Sequence, residues 1–76
     1  MENDLHIKLA NKISDELISL WKNNKTKNKS IINLFNELLD DKYKDIKYSI
    51  LSYIPEVLSV RGYEIVDSEN FELKKY

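Results

Sequence analysis

The sequence predicts an α+β chain that is mostly α: three helices followed by a C-terminal two-stranded β-hairpin. Three observations carry this. Apolar residues recur at helical spacing in three separate blocks. The only glycine, Gly62, follows the third block directly. After Gly62, apolar and charged residues alternate with the period of a strand. At 76 residues the chain is read as a single domain, 1–76.

The first helix is expected over about residues 4–22, with Asn3 or Asp4 as its cap and acidic residues favoured by the dipole in its first turn. Leu5, Leu9, Ile13, Leu17 and Leu20 form one apolar stripe. Ile7, Ser14, Ile18 and Trp21 form a second line, about 100° or more around the wheel. Such a helix needs cover on two sides. Either the domain wraps it, or the Ile7, Ile18 and Trp21 side meets a second copy of the chain, which makes the protein a homodimer through this helix.

Residues 23–29 read Asn-Asn-Lys-Thr-Lys-Asn-Lys, with nothing apolar, and are expected to be a loop. Together with Lys22 this stretch carries four lysines and no acid, in a chain of net charge −1. It is either a solvated connection or a contact for phosphates. Ser30 is placed to cap a second helix over about 30–39, with Ile31, Leu34, Phe35 and Leu38 facing the core.

Asp40-Asp41 breaks the period and offers another cap. A third helix is expected over about 42–60, with Tyr43, Ile46, Ile50, Ile54 and Val57 on one side. Its other side presents Lys44, Asp45, Tyr48, Ser49, Ser52, Glu56 and Ser59. Pro55 removes one backbone donor, so a bend or break is expected near residues 52–54. Gly62 ends the helix as a residue able to take positive φ. The hairpin then spans about 63–75. Placing Ile65 opposite Phe71 and Tyr63 opposite Leu73 sets all four apolar side chains on one face, with residues 66–70 as the loop.

Composition limits the chemistry. Without cysteine there is no disulfide and no thiolate-ligated zinc. One glycine excludes a glycine-rich phosphate loop. His6, the sole histidine, reads as a boundary residue, and no serine stands with a histidine and an acid in a recognisable order. Asp40, Asp41 and Asp45 flank a helix start and are interleaved with lysines, so capping accounts for them better than cation binding. The expectation is therefore a protein that is not an enzyme and needs no metal or cofactor. The acidic opening residues are unlike a signal peptide, and no run approaches the ~20 apolar residues of a membrane span. An intracellular protein, cytoplasmic and without membrane attachment, is expected.

The step Arg61-Gly62-Tyr63-Glu64-Ile65, preceded by Ile50, Ile54 and Leu58, resembles the winged helix-turn-helix superfamily. There a recognition helix ends in a basic-Gly-aromatic or aliphatic step and the chain enters a hairpin wing. The likeness covers roughly residues 30–76. It implies a DNA-binding transcriptional regulator whose third helix enters the major groove of double-stranded DNA. Lys42, Lys44, Lys47, Tyr48 and Ser52 would face the duplex, while Lys22, Lys25, Lys27 and Lys29 would reach phosphates. By the family's spacing, counted back from Gly62, the recognition helix starts nearer Lys47. The hairpin tip, Asp67-Ser68-Glu69, is acidic, and Asp41 and Asp45 bring like charge towards a phosphate backbone. With the near-neutral total charge, these residues motivate the alternative: a protein–protein interaction module on the same scaffold, such as a viral or mobile-element adaptor or inhibitor.

Overall fold

A computed structural model describes residues 2–76, with side chains from Asp4 onward. Three helices and a terminal hairpin are present in the expected order: α1 (Glu2–Lys22), α2 (Ile31–Leu38), a 3-10 segment (Asp41–Ile46), α3 (Lys47–Val60), β1 (Tyr63–Asp67) and β2 (Glu72–Lys75). The caps expected at Asn3 or Asp4 are not used, because both positions already lie inside α1. The other two caps are formed. Ser30 Oγ accepts from the Asn33 N–H at 3.1 Å, and Asp40 Oδ1 accepts from the Lys42 N–H at 3.2 Å.

α1, at ~1.5 Å per residue, is roughly 30 Å long, close to the 33 Å longest dimension of the molecule. It forms its most extensive interhelical contact with α3. His6 meets Ser49 near the start of both helices, Asn11 and Asp15 hold Arg61, and Trp21 meets Tyr63 just beyond the end of α3. The two helices therefore run in the same direction. The line of α1 that is buried deepest is Ala10, Ile13, Ser14 and Leu17, which lies between the two apolar lines read from the sequence. Leu9 and Leu20 flank it on one side, Ile18 and Trp21 on the other, all four partly buried. Leu5 sits at the edge of the fold, 41% exposed.

Two of the three residues of the expected dimer surface, Ile18 and Trp21, pack in part against the domain's own core. The Trp21 and Tyr63 rings meet edge to face, centroids 6.1 Å apart, and the indole N–H donates to Glu72 Oε2 at 3.1 Å. Of that line only Ile7 remains substantially open, at 39% exposure.

The single third helix expected over 42–60 is two elements. Residues 41–46 wind as a 3-10 helix and the α-helix begins at Lys47; the family spacing also gave residues 39–43 to the preceding helix, but α2 ends at Leu38 and residues 41–43 belong to the 3-10 segment. The tighter winding turns Tyr43 and Ile46 onto the core as partly buried residues. No interruption occurs near Pro55: α3 runs through it to Val60. Pro55 is exposed, so the carbonyl it leaves unpaired on that side of the helix can be hydrated. Gly62 takes φ 87°, in the left-handed region, and turns the chain into β1.

The hairpin register differs from the one expected. Tyr63 pairs with Lys75 and Ile65 with Leu73, and an irregularity between Ile65 and Asp67 brings Asp67 opposite Glu72. The shift is two residues, so the parity survives and Tyr63, Ile65 and Leu73 still share the inward face. Phe71 is displaced from the ladder into the connection, where it is fully buried. Its N–H donates to Lys29 O at 2.9 Å, and its carbonyl accepts from Thr26 Oγ1 at 3.3 Å. Ile31 N–H donates to Ser68 O at 2.9 Å, and Asn28 N–H to Asn70 Oδ1 at 2.8 Å. The loop read as wholly solvated is thus laid along the hairpin, with Thr26 only 3% exposed.

Two outcomes follow from this packing. Ser14 is fully buried and its hydroxyl has no hydrogen-bond partner. An unmet buried hydroxyl costs about 1–3 kcal/mol, and alanine is the better helix former. Ser14→Ala should therefore raise the urea midpoint without changing the slope of the transition. Trp21→Ala should lower stability by more than the ~0.5–1.5 kcal/mol of an aromatic pair, since apolar burial is lost as well. The same variant should leave the sedimentation coefficient unchanged, which separates a core role from a subunit contact.

Candidate nucleic-acid interface

The residues expected to face a duplex divide into two groups. The first surrounds the start of α3. Lys47 and Tyr48 occupy its first turn and Ser52 the next. Tyr48 is 75% exposed, with the Lys47 ammonium 5.1 Å from its ring centroid, a cation over a π face. Ser52 is exposed, and its hydroxyl donates to Ser49 O at 2.6 Å. Lys42 and Lys44 do not project from α3 as expected but belong to the 3-10 segment before it. Lys42 lies 5.2 Å from the Tyr43 ring centroid. Lys44 pairs with Asp41 at 3.4 Å, both largely exposed, a contact worth ~0–1 kcal/mol. Asn36, Leu39, Asp41, Lys44 and Lys47 line a shallow polar hollow of about 290 Å³.

Lys42, Lys44 and Lys47 are interleaved in sequence with Asp40, Asp41 and Asp45, and Lys12 of α1 lies beside Asp40 and Lys42.

The second group is the α1–α2 connection. From His6, beside Ser49, to Lys22 is sixteen residues, roughly 24 Å of helix. Lys22, Lys25 and Lys27 are exposed there. Asn24 and Asn28 take φ of 56° and 64°, left-handed values that asparagine tolerates better than most residues. Lys29 differs from them in that its ammonium is paired with Glu37 at 3.1 Å, both side chains about half exposed. Arg61, the only arginine, is held by Asp15 and Asn11.

One member of the second group, Lys75, was not singled out from sequence. The Lys75 ammonium lies 5.9 Å from the Tyr63 ring centroid, and Lys22 lies 5.8 Å from the same centroid. Strand alternation carries that signal once the register is known, since Lys75 pairs with Tyr63 across the ladder.

Other chemistry is sparse. Ser49 Oγ and His6 Nδ1 are 2.7 Å apart, a contact across 43 positions that no local pattern foretold. Among the described residues no side chain bonds the other ring nitrogen, so nothing orients this pair as a nucleophile and base would require. Among the described residues no three His, Asp or Glu side chains converge on a metal position. No described helix is long and apolar enough to cross a membrane.

A separate apolar hollow of about 250 Å³ lies between α1 and α3, lined by Ile7, Asn11, Tyr53, Glu56, Val57 and Val60. Val60 is 83% exposed at its rim. No protein-family model, curated protein or solved structure matches this chain.

Proposed function

We propose that this chain is a small non-enzymatic DNA-binding regulator of winged-helix type, with α3 as the helix that meets the duplex. The observation that carries the reading is the outward face at the start of α3. Lys47, Tyr48 and Ser52 stand together on a helix held by buried Ile50, Ile54, Val57 and Leu58, and the hairpin follows directly. A hydroxyl, a phenol and an ammonium on a rigid helix are groups that donate to phosphate oxygens and to base edges in a major groove. Lys42 and Lys44 border the same face from the 3-10 segment.

Fluorescence anisotropy with duplexes of mixed sequence at low salt tests this. Binding is expected at micromolar concentrations and should weaken steeply as salt is added. Lys47→Glu with Tyr48→Ala should reduce affinity at least tenfold, and Glu56→Lys should not reduce it. Absence of binding to any duplex at tens of micromolar in low salt overturns the proposal.

A second reading is a protein-interaction module, favoured by the hollow beside Ile7, Tyr53 and Val60. An apolar recess with an exposed valine at its rim is a surface that a partner protein or a second copy of the chain can cover. If it is covered in solution, Val60→Asp should shift the protein to a smaller hydrodynamic size, or release a co-purifying protein. Any fall in melting temperature should vanish at concentrations where the parent chain is itself uncovered, because Val60 contributes little to the core at 83% exposure.

A further inference from the structure

The hairpin tip is the part of a winged helix from which a backbone contact is expected, and here it is acidic at Asp67 and Glu69. It is also occupied. Asp67 Oδ1 accepts from the Glu69 and Asn70 N–H groups, and the tip is bonded to residues 28–31 through Asn70, Phe71 and Ser68. Those bonds hold the α1–α2 connection beside the hairpin, so its lysines stand where the tip does not reach.

We infer that Lys22, Lys25, Lys27 and Lys75 form a phosphate-backbone contact separate from α3, which replaces the hairpin tip as the source of electrostatic attraction. The ligand class rests on the duplex-binding reading; the clustering of the lysines does not. Among the described residues none of these four ammoniums has a carboxylate within ion-pair distance, as is also true of Lys42 and Lys47 in the first group, whereas Lys29, Lys44 and Arg61 each have one. Glu72, the nearest acid in sequence to Lys75, accepts the Trp21 indole N–H and keeps its charge.

The backbone that presents them is fixed. Lys25 N–H donates to Leu20 O at 2.9 Å, Thr26 is buried against Phe71, and Asn24 and Asn28 hold the two left-handed turns. Lys22 and Lys75 are positioned by the Tyr63 ring, which contacts both. Less conformational freedom is therefore lost on binding than for lysines on a mobile loop.

The test compares the intact chain with Lys25→Gln/Lys27→Gln/Lys75→Gln, and separately with Lys47→Gln/Tyr48→Ala, in anisotropy titrations across a salt series. Each lysine lost from a phosphate contact lowers the slope of log affinity against log salt by about 0.9. The triple variant should lose between about 2 and 3 of that slope, equally for every duplex sequence. The α3 variant should lose no more than about 1 and should alter the ranking of sequences. An unchanged slope in a triple variant that keeps the parent circular dichroism overturns the inference while leaving duplex binding by α3 in place.

If the intact chain binds no duplex, the duplex reading fails. Retention on a heparin column then decides the lysine cluster: earlier elution of the triple variant supports a polyanion site, and unchanged elution overturns it. Binding to anionic vesicles of phosphatidylserine with no retention on heparin also overturns it, in favour of a membrane surface.

Discussion

Phe71 joins the two halves of the molecule. Its ring is fully buried, and its backbone N–H and carbonyl bond to Lys29 and Thr26. A two-stranded hairpin is at best marginally stable alone in water. This one persists because the residue after its tip is driven into the helical core, carrying the strands with it. The same residue organises the α1–α2 connection, which has no apolar side chain of its own to hold it. Burying Thr26 is tolerable because its hydroxyl finds the Phe71 carbonyl; an unpaired hydroxyl there would cost free energy, as Ser14 illustrates nearby.

That clamp has an electrostatic consequence. It commits the hairpin tip to packing and leaves the neighbouring lysines exposed on a stiff backbone. The lysines before α3 are interleaved with aspartates that cap and brace the 3-10 segment. Capping a helix start with Asp and placing Lys in the same turn produce local neutrality. The Asn/Lys stretch, by contrast, has no acid of its own in sequence.

Much of the architecture was legible. The three blocks of helical periodicity, the Ser30 and Asp40 caps, the positive φ of Gly62 and the inward parity of Tyr63, Ile65 and Leu73 all depend on local chemistry. Less legible was whatever depended on which surfaces meet. The two apolar lines of α1 are in fact the shoulders of one buried strip, because α3 and the hairpin approach it from different sides. Trp21 meets Tyr63 and Glu72, both more than forty positions away, which no local pattern shows. The candidate site fared similarly: the lysines were visible, but their pairing was not. Lys29 and Lys44 are partly spent on carboxylates, and Lys75 joins Lys22 over a shared ring.

The sequence by itself determined the element order, the caps at Ser30 and Asp40 and the absence of thiol chemistry, since each follows from residue type and spacing along a few turns of chain. The tertiary structure decided three things. It split the third helical block into a 3-10 segment and α3, it moved the hairpin register by two residues, and it set which lysines pair with carboxylates. The physical reason is common to all three. Periodicity states that a side chain must be buried, but only contact between distant segments states against what. Phe71 could satisfy its pattern in the ladder or beyond it, and the second comes with backbone bonds to Thr26 and Lys29 and a place in the core.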